Sequence, residues 1–196
     1  MPVDSGLHKA CHAGNLDEVQ RLLTAPLEEG CEPIDINAPG AGDRRPIHRA
    51  AGANKVEIVQ LLIEKGALVD QQDKSGRTAI HWAAISGHVQ VGKILVESGA
   101  NIAVTTPSGM TPLHAACEGG HPAFVEFILK TVAEQDALAD ETVQGAETQM
   151  SKLYNTKDAD GKLPFDLAIA GKHKAVVTLL KGNGDPNAQS SSCIIS

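Results

Sequence analysis

Aromatic side chains are nearly missing: Trp, Tyr and Phe together make up 3% of the 196 residues, with a single Trp and a single Tyr. So little ring surface leaves no large aromatic core and no platform for stacking bases. A basic surplus is also missing. The formal charge is −7, the wrong sign for general nucleic-acid binding or for electrostatic attachment to anionic lipid. No apolar run approaches the ~20 residues that span a bilayer. The opening MPVDSGLHKA lacks the apolar stretch of a secretory signal. Pro2 is not the glycine that myristoylation requires. The four cysteines, at 11, 31, 117 and 193, show no paired spacing. Reduced thiols and a cytoplasmic location are therefore expected.

What the chain has is repetition. Five segments share one frame: SGLHKACHAGN (5–15), RPIHRAAGANK (45–55), TAIHWAAISGH (78–88), TPLHAACEGGH (111–121) and LPFDLAIAGKH (163–173). The fourth place holds His8, His48, His81, His114 and then Asp166, at separations of 40, 33, 33 and 52 residues. After each frame comes a stretch with apolar residues at helical spacing, as in Val56, Val59, Leu62 and Ile63. Gly66 and Gly99 stand where helix C-termini favour a left-handed residue. Thr111 is placed to cap a helix and Pro112 to open it. The small pairs Ala50–Ala51, Ala83–Ala84 and Ala116–Cys117 allow close helix approach. QQDKSGR (71–77) and TTPSGM (105–110) have the composition of projecting turns.

Residues 4–188 resemble the ankyrin repeat family through this TPLHxAA frame and its 33-residue period. The resemblance implies an all-α solenoid of stacked helix-turn-helix units with β-hairpin tips and a core shared between neighbours. Repeats are expected near 4–36, 43–75, 76–108, 109–160 and 161–188, the fourth carrying an insertion at 131–155. It also implies that the frame histidines bond turn-tip backbone and threonine between repeats. Departures are clear. The first repeat lacks Thr and Pro, Arg45 replaces the second capping Thr, and Asp43 takes a tip glycine's place. In the fifth, Lys172, Lys174, Thr178 and Lys181 give the polar dressing expected of a terminal cap.

Eight histidines invite a metal or catalytic reading. Four belong to the frame, and His88, His121 and His173 occupy the start of second helices, leaving His12 as the exception. Cys11 and Cys117 take small-residue packing positions rather than zinc-ligand ones. Nucleophile motifs, phosphate-cradling loops and paired carboxylates are absent. No cofactor or metal is expected. A non-enzymatic protein-interaction module, scaffold or adaptor, is the reading. A hydrolase or metal-dependent enzyme on a repeat scaffold, or a nucleic-acid-associated factor, is the alternative.

In the implied stack, tips and exposed first-helix positions form a concave face. Lys9, Arg49, Trp82 and Ile85 fall there from the frame, and Arg44, Arg45, Lys74 and Arg77 from the tips. An acidic chain thus gathers a basic patch around its only Trp, pointing to an acidic or mixed-polarity protein segment as the partner of a monomeric module. The insertion 131–155 carries five acidic residues (Glu134, Asp136, Asp140, Glu141 and Glu147) and one basic, Lys152. A second helix running past Lys130 and a further helix after Gly145 are expected, docked by Val132, Leu138, Val143, Met150, Leu153 and Tyr154. The flexible tail 189–196 closes on Cys193-Ile194-Ile195-Ser196. This resembles a farnesylation box, which implies a lipid on Cys193 and weak, reversible membrane contact.

Overall fold

The computed structural model describes residues 3–24, 33–138 and 148–187. All regular structure among them is helical. The fourth frame shows why. Thr111 is extended (φ −96°, ψ 166°) and its hydroxyl accepts the His114 N–H at 3.3 Å, while Pro112 opens the helix without needing a donor. The helix therefore starts at Pro112 and stops at Gly119, ahead of the left-handed Gly120. Gly66 and Gly99 end second helices in the same region, at φ 91° and 89°.

Between helices the chain makes one kind of turn four times. Asp73 N–H donates to the Arg77 carbonyl and Gly76 N–H to the Asp73 carbonyl, each at 2.9 Å. The same two bonds close Gly40–Arg44, Thr106–Met110 and Asp158–Lys162. Asp43 holds the glycine position of its turn at φ 55°. Side chains lock three of the turns: Asp73 and Asp158 each accept two N–H groups on Oδ1, and Thr106 Oγ1 accepts one. Gly40 has no side chain for this. Asp4 Oδ1 fills the space a Cβ would occupy and accepts the Ala41 N–H at 2.9 Å.

The frame histidines tie each turn to a helix start. His48 Nδ1 accepts the Arg45 N–H at 2.9 Å, and its Nε2 donates to the Gln71 carbonyl at 2.8 Å. His8 bridges Ser5 to the Arg44 carbonyl, and His114 bridges Thr111 to the Lys162 carbonyl. His81 Nδ1 accepts from Thr78. An amide N–H pointing at Nδ1 fixes the neutral tautomer with its proton on Nε2. Asp166 reproduces only half of this, accepting the Leu163 N–H at 2.9 Å.

The chain forms two compact units. In the first (1–83 and 90–100), α1 (Gly6–Ala13) packs on α2 (Leu16–Thr24) and α3 (Pro46–Gly52), and α3 packs on α4 (Val56–Glu64). Helices α5 (Ala79–Ser86) and α6 (Val89–Glu97) each carry residues of both units. Leu7, Ile47, Val59, Leu62 and Leu95 fill this core.

The second unit (84–89 and 101–196) contains α7 (Pro112–Gly119), α8 (Pro122–Leu138), α9 (Gln149–Asn155), α10 (Pro164–Ala170) and α11 (Lys174–Gly182). Leu113, Phe124, Ile128, Phe165 and Leu180 are buried there. His121 and His173 donate from Nε2 to the Ile85 and Glu118 carbonyls, both at 2.9 Å. The second helix of the fourth frame does run past Lys130, and a further helix follows Gly145. Asp136 caps that helix, its two carboxylate oxygens each accepting at 3.0 Å from Gln149 and Met150 N–H. Val132, Leu153 and Tyr154 are buried as expected, and burial pushes the Tyr154 hydroxyl up to about 12. Leu138 is a correction. It is 88% exposed, because the last turn of α8 has passed beyond the apolar surface that ends at Val132. Val143 lies outside the described residues.

Candidate functional site

Trp82 follows a frame histidine on α5 and is half-buried. Its indole N–H donates to Asp73 Oδ2 at 3.1 Å. The other carboxylate oxygen accepts the Ser75 N–H at 2.8 Å and the Arg77 N–H at 3.0 Å. Asp73 thus closes its own turn and pins the tryptophan to it. Its side chain is only 2% exposed. A carboxylate buried so deeply has to be paired, and the nearest cation is Arg44, whose Nε lies 3.8 Å from Oδ2. The Arg44 guanidinium stands 4.0 Å from the indole centroid and that of Arg77 5.4 Å from it. Both distances fall within cation–π range. Burial lowers the Arg44 pKa, and the charges of Arg49 and Arg77 push it the same way against the pull of Asp73. Lys74, next in the chain, has an exposed side chain, while its N–H donates to the Gly42 carbonyl at 3.0 Å and joins the two turns.

The structure therefore gathers Arg44, Arg77 and Trp82, with Lys74 beside them. Other residues of the expected patch are placed differently. Arg45 donates from Nη1 to the Gln72 and Asp43 carbonyls at 2.8 and 3.3 Å, linking neighbouring turns. Arg49 forms an ion pair with Asp4 at 2.7 Å. Lys9 is exposed on α1. Ile85 belongs to the second unit, where its carbonyl receives His121. Sequence reasoning missed Asp4 and Asp73. Asp73 had a partial signal in DKSG, an aspartate that accepts N–H groups two and four residues on; its bond to Trp82 had none.

Among the described residues no three His, Cys, Asp or Glu side chains are grouped to hold a metal ion. Cys11 and Cys117 are buried free thiols. Burial pushes Cys11 up to about 12 and raises Cys117 further, so neither is a ready nucleophile. No described helix is long and apolar enough to cross a membrane.

Repeated helix pairs, locked turns and bridging histidines define a repeat protein, and comparison with known families agrees. A family model for ankyrin repeats matches in three overlapping copies, over 7–106, 47–138 and 104–190. The chain belongs to the ankyrin repeat family, whose members serve as protein-interaction modules. It is similar to a poly(ADP-ribose) polymerase tankyrase of Caenorhabditis elegans, 38% identical over 77 residues. It is also similar to the tRNA endonuclease ANKZF1 of Bos taurus, 40% identical over 70 residues. These matches cover 38% and 35% of this chain but only 3% and 10% of the two relatives, so they carry no catalytic assignment here.

Proposed function

We propose that the chain is a monomeric, non-enzymatic adaptor whose first unit grips an acidic segment of a partner protein through Arg44, Lys74, Arg77 and Trp82. The observation that carries this reading is the indole flanked by two guanidinium groups over a buried carboxylate. Asp73 fixes the ring from beneath, so little side-chain freedom is left to lose on binding. Arg49 and Arg45 act in the scaffold, holding Asp4 and neighbouring turn carbonyls. Polarisation of a labelled oligoglutamate peptide tests the reading. Arg77→Ala with Trp82→Phe is expected to weaken binding about tenfold or more, the effect of losing one hot spot. Arg49→Ala is expected to lower stability rather than affinity. Equal affinity of wild type and the double variant would remove this face from the proposal.

The second part of the proposal concerns Cys193, which lies outside the described residues. The box Cys193-Ile194-Ile195-Ser196 supports farnesylation. A single prenyl chain gives marginal, reversible attachment, so the adaptor would exchange between cytosol and membrane with its cargo. Intact-mass measurement and cell fractionation of wild type and Cys193→Ser are the check. The wild type is expected to carry the farnesyl mass and a membrane-bound fraction that the variant loses; an unmodified wild type would end this part.

A further inference from the structure

We propose that Arg44, Arg77 and Lys74 around Trp82 form a receptor for one phosphorylated serine or threonine on the partner segment; this rests on the interaction reading above. Charge balance is the first argument. Asp73 is the one carboxylate paired with the cluster: Arg44 Nε lies 3.8 Å from it, and neither Lys74 nor Arg77 makes a side-chain ion pair among the described residues. Arg49 is matched by Asp4, and Arg45 spends its Nη1 on the Gln72 and Asp43 carbonyls. The cluster is left with an excess of about two positive charges. A phosphoryl ester carries about −1.5 to −2 near neutrality. A single glutamate would leave half of the excess unmatched.

Donor geometry is the second argument. Arg44 turns its Nε toward Asp73, and its Nη groups make no hydrogen bond among the described residues. The Arg77 guanidinium makes none among them either; only its backbone N–H is used. Both forks lie within cation–π range of the same ring, which favours planar, pre-ordered donors. Forks of this kind bind phosphoryl oxygens through paired, charge-assisted hydrogen bonds. A peptide is favoured over a phosphorylated lipid headgroup because a chain of charge −7 is repelled by an anionic membrane surface.

Trp82 is the only tryptophan, so its emission reports this site alone. The test uses a labelled Gly/Ala/Ser peptide with one central phosphothreonine, and the same peptide with glutamate or threonine in that place. The phosphopeptide is expected to bind about tenfold tighter than the glutamate peptide, to change Trp82 emission and to weaken as salt rises. Arg77→Lys keeps the charge but loses the fork; it is expected to abolish the phosphate preference and leave the glutamate peptide nearly unaffected. Circular dichroism confirms that the variant is folded. Equal affinity for the phosphate and glutamate peptides would overturn the phosphate receptor and leave the acidic-segment reading standing. Binding of neither peptide would overturn both. Tighter binding to phosphoinositide vesicles than to the phosphopeptide would overturn it in favour of a lipid site.

Discussion

Replacing Phe124 by alanine is expected to destabilise the second unit by about 3–5 kcal/mol. Phe124 is fully buried on α8, and its ring meets that of Phe127 edge-on at 5.4 Å and 77°. Truncation removes the transfer free energy of the ring and leaves a cavity lined by groups that cannot collapse into it. Val125, Ile128 and Leu129 are on the same helix, held by their own burial. Phe124→Leu keeps most of the volume and is expected to cost about 1.5 kcal/mol or less. Urea unfolding followed by circular dichroism gives both numbers. A loss under about 1 kcal/mol for the alanine variant would contradict this packing.

Acid has the other large effect. His48 is buried, and burial lowers its pKa from 6.5 to about 4, only partly opposed by its bond to the Gln71 carbonyl. Burial lowers His8 and His114 as well. The unfolded chain takes up protons at these histidines below about pH 6.5, while the folded chain does not until near pH 4 at His48. Stability is therefore full above 6.5 and is lost as pH falls toward 4. His48 alone accounts for about 3 kcal/mol of that loss, a large fraction of an ordinary domain's stability. The network gives the same sign, since a proton on Nδ1 would face the Arg45 N–H that now donates to it. Urea midpoints at pH 7, 5.5 and 4.5 should fall steadily. His48→Gln should start lower at pH 7 but show a shallower pH slope. An unchanged slope would sink the assignment to His48.

Helix pairs were legible in the sequence because their apolar spacing is local, whereas the histidine bridges, whose far partners lie 23 to 48 residues away, were legible only through the family resemblance. Four of the five frames carry the histidine with a small pair two residues on, so one physical reading serves for those four. The candidate site was legible only in part. Arg44, Arg77 and Trp82 come together as their positions suggest. Charge count alone could not separate them from Arg45 and Arg49, whose partners are a carbonyl 27 residues and a carboxylate 45 residues away in the chain. Asp73 was hidden for the same reason: an aspartate beside glycine reads as a turn residue, and its hold on Trp82 depends on how α5 leaves that turn. Leu138 was misread because apolarity at helical spacing does not say where the covering surface stops.

Asp166 has a consequence for anyone wishing to lengthen this protein. A histidine has two nitrogens on opposite sides of a ring, one for the start of its own helix and one for a neighbour. A carboxylate satisfies the first duty at Leu163 and has no N–H to offer for the second. Grafting another unit behind α11 would therefore give that unit's turn no donor to meet, and it would tend to fray. An engineer building a longer array would first restore a histidine at 166, and only then extend the chain.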